Sequence, residues 1–298
     1  MGRGTLPSPV GVVAAAGRLW YVDSANHLRT LGVDGRAADM GVLQSLAASG
    51  PGSAGGLAVS ADGRRWAWGV CSGCSGSGAR TRVYLGGIDT PEKLVADEST
   101  TNQVLIPVAY TSRGVVVVRS ASGLGGCCYL SPEDGHTAVL VVSPGALQPG
   151  PTLPSCVTAY ASEAGSFACV GRMVTVHLAD GSTRAVMPTQ PVAQVGWARV
   201  DDAGARVVFT VLHSRGQGDG GCPCNLDTEA GSLSDGSVTK LADQMTLDDL
   251  LPDGRIVATS APALPGEGPT VDFIVSPDGT RMRLGPDGES FLAVVPMA

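Results

Sequence analysis

The residues of this chain best suited to chemistry are its cysteines, and they fall in local pairs. Cys71 and Cys74 form a Cys-x-x-Cys pair, Cys127 and Cys128 are adjacent, and Cys222 and Cys224 are one residue apart. Each pair lies in a glycine-rich stretch: VCSGCSGSGART, which takes in Arg80, SASGLGGCC and HSRGQGDGGCPC. Three chemistries fit. Local disulfides would staple such loops and imply an oxidising compartment. Zinc could draw on Cys71 and Cys74 with Cys127 and Cys128, although vicinal cysteines seldom supply two ligands. Redox-active thiols are the third reading, yet a catalytic Cys-x-x-Cys normally opens a helix and none is expected at Cys71. Cys156 and Cys169 complete the set of 8. A tight turn at Ser162-Glu163 would set them opposite each other on paired strands, within disulfide reach; two buried thiols are the alternative.

The 4 histidines are scattered. His213, with Asp219 a few residues on, has the composition of a catalytic or metal-binding pair, but a solvated loop histidine is the plainer reading. No H-E-x-x-H, G-x-S-x-G or G-x-x-x-x-G-K-S/T pattern occurs. Calcium needs about six to eight oxygen ligands, and Gln103, Gln194, Asp248 and Asp249 offer few. No catalytic residue, metal set or cofactor is therefore expected.

Net charge is −7 with a pI near 5.0, and the lysines are Lys93 and Lys240 alone. Nucleic acid requires clustered cations to displace phosphate counterions, so it is excluded as a partner. No apolar run reaches the roughly 18 residues that span a bilayer. Membrane insertion is not expected, and a signal or anchor would lie outside this chain. These properties leave a protein or peptide ligand as the expected partner, and a monomer in an extracytoplasmic setting.

The elements that must position these residues are strands. An apolar run, a polar turn ending in glycine and a second apolar run recur six times, with turn glycines at Gly17, Gly63, Gly114, Gly165, Gly204 and Gly254, spaced 39 to 51 residues apart. A second phrase of the same form follows each, as in HLRTLGVDGRAADM from His27 or FIVSPDGTRMRLG from Phe273. Asp bonds its own nearby backbone and Gly accepts positive φ, so DG phrases read as hairpin turns. Periods of this size mark a repeat architecture. Two hairpins per period predict an all-β, six-bladed β-propeller of four-stranded antiparallel blades. The blades run approximately 7–44, 45–99, 100–150, 151–191, 192–244 and 245–296, as one domain. With strands labelled a to d, the paired loop cysteines, His213 and Asp219 fall in b–c connections on one face. That face is the expected binding site, and Trp66 and Trp68 are expected to pack between blades.

The phrases VSADGRRWAW (Val59–Trp68), LPDGRIVA (Leu251–Ala258) and VSPDGTRMRL (Val275–Leu284) resemble the PD40 or TolB-like propeller repeat. The last sits at a c–d turn, out of the usual phase. The resemblance implies a propeller whose role is usually protein binding at the channel mouth, and it carries over no contact residue.

Overall fold

The computed structural model describes residues 10–49, 54–72, 79–100, 103–112, 114–121, 139–142, 158–162, 164–215, 224–260 and 271–285. The first sheet joins β1 (Val10–Ala15), β2 (Arg18–Val22), β3 (His27–Gly32) and β4 (Ala37–Val42). A short helix, α1 (Gln44–Ala47), leads to the second: β5 (Ala54–Val59), β6 (Arg65–Ser72), β7 (Ala79–Gly87) and β8 (Thr90–Thr100). The third holds β9 (Gln103–Thr111), β10 (Gly114–Ala121) and β11 (Val139–Val142). The fourth is β12 (Thr158–Ala161), β13 (Phe167–Val170), β14 (Val174–His177) and β15 (Thr183–Val186). The fifth is β16 (Gln194–Val200), β17 (Arg206–Arg215), β18 (Cys224–Ser232) and β19 (Val238–Asp243). The sixth is β20 (Met245–Leu250), β21 (Ile256–Ser260), β22 (Asp272–Val275) and β23 (Arg281–Leu284).

Sheets one to three belong to one compact unit and sheets four to six to another. Every sheet is an antiparallel meander, the blade form of a propeller. The expected count of six four-stranded blades is corrected: among the described residues five sheets are four-stranded and the third has three strands. The run AVLVV was expected to follow a DG turn as that blade's outermost strand. It instead pairs directly with β10, Val115 opposite Val142 and Val118 opposite Val139. Both runs are rich in β-branched valine, which favours an extended ladder.

The turn chemistry follows the sequence closely. All six turn glycines take positive φ, from 64° at Gly204 to 132° at Gly114. Asp side chains bond the amide two residues on: Asp62 to Arg64 at 3.0 Å, Asp180 to Ser182 at 2.8 Å and Asp278 to Thr280 at 2.9 Å.

Alternation in β17 shows how the blades pack in the second unit. Val207, Phe209 and Val211 face the fourth sheet's Val174, Val176 and Val186. Val208, between them, joins Leu247, Ile256 and Ala258 of the sixth. Both faces are thus buried, and truncating a core residue such as Phe209 to alanine costs about 3–5 kcal/mol. In the first unit Trp66 meets Trp20 of the neighbouring sheet at 6.1 Å between centroids, whereas Trp68 stacks on Tyr84 of its own sheet at 5.8 Å.

Candidate functional site

The site is built at the end of the fifth sheet where β17 gives way to β18. Ladder register there is broken twice. Leu212 pairs with Leu226 and Ser214 with Asn225, so His213 is an extra, bulged residue in β17. A second break separates Thr228, paired with Ala242, from Glu229, paired with Lys240. Bulges re-aim side chains, and these two bring His213 and Lys240 to one carboxylate. His213 Nε2 lies 2.7 Å from Asp227 Oδ2, and Lys240 Nζ lies 3.0 Å from the same oxygen. Lys240 also pairs with Asp243. The main-chain N–H of Gln244 donates to Leu226 O at 2.8 Å and, more weakly, to Asp227 Oδ1 at 3.4 Å.

Burial sets the electrostatics. The Asp227 side chain is 8% exposed and that of His213 17%. An ionised carboxylate only accepts, so the pair requires the imidazole proton on Nε2 and leaves Nδ1 as acceptor in the neutral ring. Asp243, and then Asp227, hold the Lys240 ammonium above its ordinary value of 10.5. Around this centre Thr189, Gln190, Asn225, Asp243 and Gln244 complete the lining of a recess of about 410 Å³. Its walls are fastened by their own bonds. Gln244 takes a left-handed backbone (φ 53°) where β19 turns into β20, and its Nε2 donates to Asn225 Oδ1 at 3.0 Å. Thr189 donates its N–H at 3.1 Å, and its hydroxyl, to the fully buried Glu229.

The expected site residues fare differently. His213 belongs to a strand and not to a loop, because β17 runs through Arg215; the acid it meets is Asp227 across the sheet. Asp219 lies outside the described residues, as do Cys74, Cys127, Cys128, Cys156 and Cys222. Arg80, in β7, is committed to Asp97 of the next strand by two bonds of 2.8 and 2.6 Å. Cys224 begins β18. Cys71 and Cys169 are buried and disulfide-bonded, and no described cysteine is a free thiol. The register expected for Cys169 is corrected. Ser162 and Ser166 close the turn, so Ala159 stands opposite Cys169, and the expected pairing with Cys156 lies outside the described residues. The turn is longer than the two-residue one assumed. Asp227, Lys240, Gln190, Asn225, Asp243 and Gln244 were not singled out for the site. The available signal was LDTEA, acids within a strand flanked by two buried faces.

No protein-family model matches the chain, and no curated protein does. Solved structures do match it. An acylaminoacyl peptidase of Pyrococcus horikoshii is similar over 94% of this chain and 45% of that one, at 12% identity and a TM-score of 0.58. An oligogalacturonate lyase of Vibrio parahaemolyticus is similar over 92% and 79%, at 11% identity and 0.53. A virginiamycin B lyase of Staphylococcus aureus is similar over 95% and 85%, at 10% identity and 0.52. At such identities the likeness concerns the fold alone, and that fold is the β-propeller. No helix among the described residues is long and apolar enough to cross a membrane.

Proposed function

We propose that the chain is a non-catalytic, extracytoplasmic binding propeller whose partner is a peptide segment held at the recess of the fifth sheet. The observation that carries this reading is the lining of the recess. Three carboxamides, Gln190, Asn225 and Gln244, stand around a buried carboxylate already answered by His213 and Lys240. A carboxamide offers the donor and acceptor of a peptide group, so this rim matches a peptide main chain better than a bare ion. The recess also lies toward the end of the sheet at which β17 stops at Arg215 and β18 begins at Cys224. A PD40 or TolB-like propeller repeat, with loop disulfides, belongs to the same reading. Short peptides selected on the full chain from a random display library should bind the Gln190→Ala/Gln244→Ala protein at least about tenfold more weakly, a loss of about 1.4 kcal/mol. Selected peptides that bind both proteins alike would overturn it.

A hydrolase or lyase is the second reading, and the His213–Asp227 pair favours it. An imidazole oriented by a buried carboxylate is the arrangement of a general base. In its metal-dependent form such an enzyme would hold calcium in the central channel. Among the described residues no group of three or more His, Cys, Asp or Glu is placed to hold a metal ion. A rise in melting temperature with calcium, reversed by chelation, would favour this reading over the first.

A further inference from the structure

The recess has a rigid acceptor that the described residues leave open. The His213 ring is fixed at Nε2, 2.7 Å from Asp227 Oδ2, and the neutral ring then carries its free lone pair on Nδ1. Nδ1 has no hydrogen-bond partner among the described residues. In residues that are not fully exposed, every described side-chain nitrogen that is buried has such a partner. Nδ1 is therefore within reach of solvent, and the surface that His213 offers lines the recess.

Neighbouring acceptors are already answered. Besides the imidazole, Asp227 takes Lys240 Nζ at 3.0 Å on Oδ2 and the Gln244 main-chain N–H at 3.4 Å on Oδ1. Asp243 takes Lys240, and Asn225 Oδ1 takes Gln244 Nε2 at 3.0 Å. The imidazole is held in place. Its residue is the extra one of the β17 bulge, between the pairs Leu212–Leu226 and Ser214–Asn225, and its side chain is only 17% exposed. Solvent can satisfy such a nitrogen while the recess is open to it. A ligand that fills the recess excludes that solvent, and must bring a donor or leave the nitrogen unpaired.

We propose that His213 Nδ1 accepts a main-chain N–H of the peptide held at the recess, which makes His213 the residue that sets the peptide's register there. The inference rests on the peptide reading above. A peptide brings an N–H at every residue except proline. Gln190 and Gln244 line the same recess, and their carboxamides can answer the adjoining carbonyl and amide groups. Sites built around a hydrogen bond discriminate strongly against analogues that lack it, because the protein group is then left unpaired. Proline is accordingly excluded at the one peptide position that meets His213.

The test takes a peptide selected on the full-length protein and replaces its amides one at a time by esters, each of which removes a single N–H. One ester should weaken binding to the wild type at least about tenfold. On His213→Gln the same ester should cost less than about twofold, because the shared interaction is already gone. Glutamine can keep a donor toward Asp227 but places no acceptor at the position of Nδ1. His213→Asn does the reverse, since its amide oxygen can stand where Nδ1 stood; it should melt lower than His213→Gln yet bind the peptide more tightly. In the wild type the nitrogen resonance of Nδ1 should move upfield with the amide peptide and stay with the ester, a readout that needs no variant. No sensitive ester, an equal ester cost in His213→Gln, tighter binding by His213→Gln than by His213→Asn, or an unmoved Nδ1 resonance would each overturn the inference. Where the peptide still loses affinity in Gln190→Ala/Gln244→Ala, such a failure leaves the recess reading standing. Peptides that bind that variant and the wild type alike overturn the reading and this inference together.

Discussion

His27 and His213 both stand where the second and third strands of their sheets meet, and each is joined to an aspartate and a basic side chain. In the first sheet His27 Nδ1 lies 2.9 Å from Asp39, and Arg29 spans Asp39 at 3.1 Å and Asp23 at 2.9 Å. In the fifth sheet His213 and Lys240 share Asp227, and Lys240 reaches Asp243. The residue types nearly match, yet the aspartate that holds the histidine is 40% exposed in the first case and 8% in the second. The first is a surface ion network; the second lines a recess. A parallel difference holds for the connections that precede the second and fifth sheets. Glu92 accepts the amides of Gln44 and Ser45 from a half-buried position, while Glu229 accepts from Thr189 in full burial. Polar composition alone does not make a site. What differs is the bulge at His213, which folds the pair inward, and the two connections that wall it.

The contrast can be broken most severely at Asp227. Asp227→Ala leaves His213 without its acceptor in a poorly solvated place, while Lys240 keeps Asp243, and should lower unfolding free energy by about 3 kcal/mol. Asp39→Ala in the first sheet should cost far less, and denaturant melts of both variants check the ranking. Glu229→Ala comes next, at about 2 kcal/mol for a buried charged acceptor. It should also weaken selected peptides by freeing Thr189 and Gln190, whereas Glu92→Ala should leave peptide affinity unchanged.

Two pH effects sharpen the comparison further. Lys240 is held above 10.5, so its pairing stabilises fully below that value and is lost as pH rises through its higher folded value. Lys240→Met should therefore flatten the alkaline limb of melting temperature against pH. Asp39 is lowered, chiefly by the Gly41 amide and then by its bond to His27, so its contribution is present above 3.8 and fades as pH falls. Asp39→Asn should flatten the acid limb slightly, the smallest effect of the series. Asp235 belongs to that limb too: the Ser237 amide, with the Ser232 and Ser237 hydroxyls, lowers it to about 2, so its stabilisation fades between 3.8 and that value.

Much of the fold was legible because turn chemistry is local. Asp-Gly phrases place a self-bonding side chain beside a residue free to take positive φ, and the strands must then reverse where these phrases fall. The third sheet and Cys169 mark the limit of that reasoning. In the third sheet the turn was recognisable but the partner strand was not, and at Cys169 the partner strand was expected but its register was not, since register depends on how many residues the turn takes up. The recess was less legible still. His213 and Asp227 are fourteen residues apart, a separation that reads as nothing until a long connection has been closed.

By itself, then, the sequence determined the antiparallel sheets, their hairpins and the apolar alternation that lets each sheet be covered on two faces. These depend on a few neighbouring residues and on a period of two. The tertiary structure decided which polar groups meet and which of two similar His–Asp groups is buried. Those outcomes depend on single-residue slips in the ladder, which reverse the side to which a chain of side chains points and leave no local mark in composition.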